Sequence, residues 1–219
     1  MTELNHTTNT NSDPTPPLVA DTPPPDTGPE TEPGDHPRIY VASLADYVNG
    51  RLHGVWIDAT QDATVVWQQI RDMLAASPTA RDHGAPAEEV AIHDYEGFGP
   101  VRLGEYENVA TVTRLARLIA THGPAYAAWA DDIGLDYATA DDADRNFDAS
   151  YAGHYDSRED FVQEFLDDIG LHATLDHAVP GPLGAYVTFD TEGFARDLEL
   201  GGDLTVLDDP EGGCFIFRN

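Results

Sequence analysis

The chain has 219 residues, 41% of them hydrophobic, enough for one or two small cores and a tail. A formal net charge of −29, with no lysine among its eleven basic residues, excludes the basic surface that nucleic-acid-binding domains need, and the single Cys214 excludes a disulfide within the chain. No apolar run approaches the roughly 18–20 residues that cross a bilayer, and residues 1–17 hold neither a basic n-region nor an apolar h-region, so a soluble, cytoplasmic protein without membrane contact is expected.

Residues 1–36 are rich in Thr, Pro, Asp and Glu with almost no large apolar side chains, and read as a disordered acidic tail. RIYVASL (38–44) and GVWIDA (54–59) read as strands, residues 62–76 as an amphipathic helix with Val66, Ile70, Met73 and Leu74 inward, and EVAIHDYEGF (89–98) as a third strand. Together they predict an antiparallel sheet with a helix packed on it, an α+β domain over 37–100. Asn108 caps a helix that buries Val109, Val112, Leu115, Ala116 and Ile119 and stops at Gly123-Pro124. A shorter helix at 125–133 completes a helical central domain over 101–140.

The remainder, 141–219, reads as an acidic α+β domain. A helix is expected from Asp141 to Tyr151, and another from a Ser157 cap to Ile169 with Phe161, Phe165, Leu166 and Ile169 inward. A strand near AYVTFD (185–190), a helix near 192–199 and strands at 203–207 and 213–218 follow. The fold class is thus α+β, an elongated chain of small α/β domains.

The charge is unevenly shared. Residues 37–130 carry eleven acids against seven arginines, whereas 131–168 carry thirteen acids against two. Adaptation to high salt would spread charge evenly, so the patchiness favours a surface that imitates a polyanion or binds a basic partner. The block comprises Asp131, Asp132, Asp136, Asp141, Asp142, Asp144, Asp148, Asp156, Glu159, Asp160, Glu164, Asp167 and Asp168. Asp160, Glu164 and Asp168 recur every four residues, which on a helix spaces them roughly 6 Å along the axis, against about 3.4 Å between phosphates of one DNA strand.

Other chemistry is less well supported. Asp142–Gly153, DADRNFDASYAG, opens like a calcium loop, but Phe147 stands where the turn needs Gly and Gly153 where a bidentate Glu should close the cage. Phe147 and Tyr151 are expected instead to anchor this segment while its acids face out. His53, Asp58, His93 and Asp94 lie on neighbouring strands and define the alternative reading, a salt-adapted metal-dependent enzyme, although none has a recognisable ligand spacing. No nucleotide-binding loop or nucleophile elbow is present, so no catalytic residue, cofactor or metal is assigned. A regulator of some other DNA-binding protein shares the same physics.

IYVASLADYVNGRLHGVWIDA, AIHDYEGFG, LGEYENVATVTRLARLIATHG and YAGHYDSREDFVQEFLDDIG, in this order, resemble the ArdA antirestriction family from about residue 39 to the C-terminus. The resemblance implies a DNA mimic carried by mobile elements. It implies an acidic, elongated homodimer of three small domains that occupies the DNA-binding groove of type I restriction-modification enzymes. The family's antirestriction motif falls on Leu103 to Leu118, with Leu103, Gly104, Glu105, Tyr106, Glu107, Asn108, Val109, Leu115 and Leu118 as its marked positions. Arg114 and Arg117 within it are poor phosphate imitators, so the motif is expected to shape a junction while the mimicry lies further along.

Overall fold

Alternation in RIYVAS sends Ile39 and Val41 to one face and Arg38 and Tyr40 to the other. The resulting strand, β1 (Arg38–Ser43), is the middle of a three-stranded antiparallel sheet in a computed structural model that describes residues 36–179 and 181–219. Residues 1–35, nearly all of the expected tail, and Pro180 lie outside the described residues. A short helix, α1 (Leu44–Tyr47), follows β1 directly, and β2 (Gly54–Asp58) returns with Ala42 opposite Gly54 and Arg38 opposite Asp58. Helix α2 (Ala63–Ala75) buries Val66, Ile70 and Met73 against the sheet, as their spacing predicts. After α3 (Pro78–His83), strand β3 (Val90–Glu96) pairs on the other side of β1, with a register shift that leaves His93 as the extra residue.

Helices α1 and α3 are too short for a periodic signal, and each starts on a serine, Ser43 and Ser77. Between them Asp46 is fully buried. Its carboxylate accepts the Ser77 hydroxyl at 2.6 Å and the Thr79 N–H at 2.9 Å. Burial opposes ionisation here, but the Ser77, Ser43 and Thr79 hydrogen bonds outweigh it and hold the carboxyl well below the ordinary carboxylate range. The group therefore stabilises the fold fully above its unfolded pKa of about 4, and this contribution fades as pH falls through that value toward the folded one. Asp46→Ala is expected to cost about 2–4 kcal/mol at pH 7, because it orphans buried donors. Urea midpoints of Asp46→Asn should fall less steeply than wild type between pH 6 and pH 3 (on the order of the linkage slope). Parallel curves would refute this role.

Asn108 caps α4 (Val109–His122) with its side chain accepting the Ala110 N–H at 2.8 Å, and the five predicted core positions of that helix are all buried. Then come α5 (Pro124–Ile133), α6 (Leu135–Ala138) and α7 (Ala143–Ser150). A second antiparallel sheet, in order β4-β6-β5, is made by β4 (Tyr151–Tyr155), β5 (Leu204–Asp208) and β6 (Cys214–Arg218). Between β4 and β5 lie α8 (Arg158–Asp168), α9 (Leu171–Ala178) and α10 (Thr191–Gly201). Gly170, at φ +69°, permits the sharp turn from α8 into α9.

The α+β class is borne out, with two corrections in detail. The strand expected at AYVTFD does not form. Gly181–Tyr186 is a 3-10 helix, the Val187 N–H is committed to the Gly184 carbonyl at 3.2 Å, and Asp190 caps α10. On α8 the inner face is Phe161, Val162 and Leu166, while Phe165 and Ile169 are 38% and 57% exposed. Phe165 and Ile169 form the outer edge of the apolar stripe, and that edge faces water.

Side chains from β1, α2, α4, α5 and α7 form one large hydrophobic cluster that extends to Phe215 and Phe217. A smaller one gathers Phe161, Val162, Leu166, Ala195, Leu204, Cys214 and Ile216. Alternation along β6 sends its phenylalanines to the first cluster and Cys214 and Ile216 to the second.

Candidate acidic interaction surface

The segment that resembled a calcium loop folds as helix and strand. Asp142 precedes α7, Asp144 and Asp148 sit one turn apart on it, and Gly153 lies in β4. Phe147 is 2% exposed and holds the segment in place. Its ring centroid lies 4.8 Å from His122, 4.9 Å from Tyr126, 5.5 Å from Trp129, 5.1 Å from Tyr151 and 5.8 Å from Phe217. Tyr126 donates its hydroxyl to the Ala138 carbonyl at 2.8 Å, and burial pushes that phenol up to about 12. His122 ends α4 between two of the acids, with Nε2 at 2.6 Å from Asp144 and Nδ1 at 3.8 Å from Asp148. Nothing local in the sequence marks its pairing with acids, because Asp144 and Asp148 lie 22 or more residues away.

Of the thirteen acids between 131 and 168, twelve are exposed. Asp131 and Asp132 close α5, Asp136 is on α6, Asp141 lies 3.9 Å from Arg114, and Asp156 precedes the α8 cap. Glu159 is the exception. It is half-buried and bonded to Arg158 at 2.9 Å, and Arg158 also grips Glu199 of α10. The Arg158 hydrogen bond holds the Glu159 carboxyl below its usual range, so this acid is engaged in tying α8 to α10.

Helix α8 carries the most ordered acids. Ser157 accepts the Asp160 N–H at 3.1 Å and donates its hydroxyl to the Asp160 carboxylate at 2.6 Å, a cap that fixes the start of the helix. Asp160, Glu164 and Asp168 then follow at four-residue spacing, with Asp167 alongside and 3.3 Å from Gln163. Tyr155 lies 3.5 Å from Glu164. Burial raises its phenol, and the nearby Glu164 and Asp168 carboxylates raise it further. Burial likewise raises the Cys214 thiol, with Asp208, Glu159 and Asp160 adding to it.

The positions expected to carry the antirestriction motif, Leu103 to Leu118, divide between core and loop. Val109 and Leu115 are buried, and Leu103 and Leu118 pack against the large cluster. The Glu105 carbonyl accepts the Ile92 N–H at 2.8 Å, which docks the loop on β3, and the Glu107 N–H closes a turn on the Gly104 carbonyl at 3.1 Å. The Glu107 carboxylate accepts the Asn108 N–H at 3.2 Å, and Tyr106 is 74% exposed. Arg117 reaches Asp62 at the start of α2, and Arg114 reaches the Ala140 carbonyl ahead of α7.

The four metal candidates are dispersed. His53 donates Nε2–H to the Met73 carbonyl at 2.7 Å, and Asp58 accepts the N–H and hydroxyl of Thr60. His53 immediately precedes β2 and Asp58 ends it, about 16 Å further along the extended chain, while His93 and Asp94 lie on β3 with β1 between. Asp94 accepts the Tyr95 N–H, and His93 packs against Tyr47. Among the described residues no three His, Cys, Asp or Glu side chains converge on a metal-sized position. No helix among them is long and apolar enough to cross a membrane.

These residues define an acidic α+β protein in which twelve of the thirteen carboxylates between 131 and 168 face solvent, most of them on or beside helices. A family model for antirestriction protein (ArdA) matches residues 39–210. The chain belongs to the ArdA antirestriction family. None of the curated proteins matches it.

Proposed function

We propose that the protein protects incoming mobile-element DNA by imitating DNA and competitively occupying the DNA-binding groove of type I restriction-modification enzymes. The observation that carries this reading is the solvent exposure of twelve carboxylates between residues 131 and 168. Most stand on or beside helices whose buried faces fix their placement, Phe147 under α7 and Phe161, Val162 and Leu166 under α8. Such carboxylates meet the Arg and Lys side chains that line a DNA channel and release the counterions held by both surfaces. Inhibition is stoichiometric binding. No bond is made or broken, and no cofactor takes part.

The motif helix α4 supports a different role for its own residues. Arg117 and Arg114 link α4 to α2 and to the turn before α7, so the motif joins the N-terminal sheet to the acidic block. A homodimer formed in the cytoplasm would double the length of the acidic surface. Sedimentation at micromolar concentration should then give twice the chain mass.

The test is a titration of purified type I enzyme, with DNA binding and cleavage followed together. Both should fall in parallel, and raising salt from about 50 to 200 mM should weaken inhibition by about tenfold or more. Salt-insensitive inhibition, or loss of cleavage with DNA still bound, would sink the proposal.

A further inference from the structure

Outside the acidic block, α1, the segment at 86–89, β3 and the loop before α4 enclose an open groove of about 770 Å³. Tyr47, Glu88, Glu89, His93, Glu105 and Tyr106 contribute its aromatic and acidic lining. Tyr47 and Tyr106 are 59% and 74% exposed, and the Tyr47 ring meets His93 edge-on at 4.8 Å. Among the described residues none of the three glutamates is in an ion pair, while Arg38, Arg51 and Arg117 are paired with Glu96, Asp82 and Asp62. The groove therefore offers flat rings and uncompensated negative charge together. Its walls are pinned by backbone bonds, Leu44 N–H to the Glu89 carbonyl at 3.0 Å and Ile92 N–H to the Glu105 carbonyl at 2.8 Å. A site fixed in this way loses little freedom on binding.

We infer that this groove docks an arginine-bearing peptide segment of a partner protein. The guanidinium lies against the Tyr47, His93 and Tyr106 rings, and Glu88, Glu89 and Glu105 supply the counter-charge. Charge complementarity selects a cation. Flat rings select arginine over lysine, because a planar, weakly hydrated guanidinium stacks where an ammonium does not. The volume exceeds that of one side chain and falls within the range of peptide and ligand pockets, so neighbouring backbone enters as well. This site reads one side chain at short range, whereas the carboxylates of 131–168 act on a whole channel, and neither depends on the other.

The test titrates the full isotope-labelled chain with acetyl-Gly-Arg-Gly-amide and follows backbone resonances at both sites by NMR. Saturable shifts should appear at Tyr47, His93, Glu105 and Tyr106. Binding should weaken by about fivefold or more with the citrulline peptide, and by about threefold with the lysine peptide. Tyr106→Ala with Glu105→Gln, both at exposed positions, should weaken the arginine peptide by about fivefold while leaving the rest of the spectrum in place. Equal binding of citrulline, or shifts concentrated at residues 158–168 with none in the groove, would overturn the inference. Either result leaves the restriction assay, and the proposal it tests, untouched.

Discussion

Replacing Asp160, Glu164, Asp167 and Asp168 together by their amides is expected to raise the half-inhibitory concentration against a type I restriction enzyme by about 30-fold or more at low salt. The same variant should flatten the dependence of log affinity on log salt, by up to roughly 0.9 for each phosphate-like carboxylate neutralised. Its fold should survive. An amide at position 160 still accepts the Ser157 hydroxyl that helps to cap α8, and the buried face of Phe161, Val162 and Leu166 is untouched. Thermal melting checks this. Glu105→Gln with Glu107→Gln is expected to cost less than about threefold, because Glu105 holds β3 through its backbone carbonyl and a Gln at 107 can still accept the Asn108 N–H. If the motif pair costs more than the α8 quartet, the mimicry has been placed on the wrong segment.

Phe147→Ala is expected to cost about 3–5 kcal/mol, the largest effect of any single side chain in the acidic block. The ring is 2% exposed and stacks on Tyr151 at 5.1 Å with an interplanar angle of 20°. Its loss opens a cavity beneath α7 and releases the helix that carries Asp144 and Asp148. Urea denaturation should show the loss in full, and amide exchange across Ala143–Ser150 should accelerate before global unfolding. Phe147→Leu should recover about half of the stability, since it refills most of the volume. Exchange in α7 that stays at the wild-type rate in Phe147→Ala would show that the helix is held by something else.

Much of the fold is legible in the sequence because the signals are local and strong. The first three strands, the Asn108 and Ser157 caps and the apolar buried face of α4 follow from periodicity and capping chemistry, while the buried Thr113 does not. Strand β4 is not legible, because YAGHY is short, contains Gly153 and follows α7 without a loop, so its strand character comes from pairing with β6 some sixty residues away. The reverse holds at AYVTFD, where β-branched and aromatic content suggests a strand but the neighbouring turn takes the Val187 N–H. On α8 the expected stripe of Phe161, Phe165, Leu166 and Ile169 gives way to Phe161, Val162 and Leu166, because the burying face depends on how the neighbouring elements approach, which sequence spacing does not encode.

The candidate surface is legible in a similar measure. Outward-facing carboxylates follow from amphipathic pattern, and twelve of the thirteen are exposed. The pairing of Glu159 through Arg158 to Glu199, and the placement of His122 between Asp144 and Asp148, depend on contacts between residues far apart in the chain. The groove is hidden in the sequence for the same reason. Tyr47, Glu89, His93 and Tyr106 are spread over sixty residues and meet because the motif loop docks on β3.

Strand β6, with Phe215 and Phe217 in one core and Cys214 and Ile216 in the other, has no free face along which its sequence can drift. A substitution there must satisfy two sets of neighbours at once. Apart from Asp160 in the α8 cap and Asp144 beside His122, the exposed carboxylates of α7 and α8 carry no such double obligation, and an acid can be lost at one position and gained a turn away with little effect on packing. The architecture thus separates a part that must be inherited intact from a part that can be rewritten. Under the proposed mimicry, a lineage facing new restriction enzymes can redraw its charge pattern while keeping the same frame.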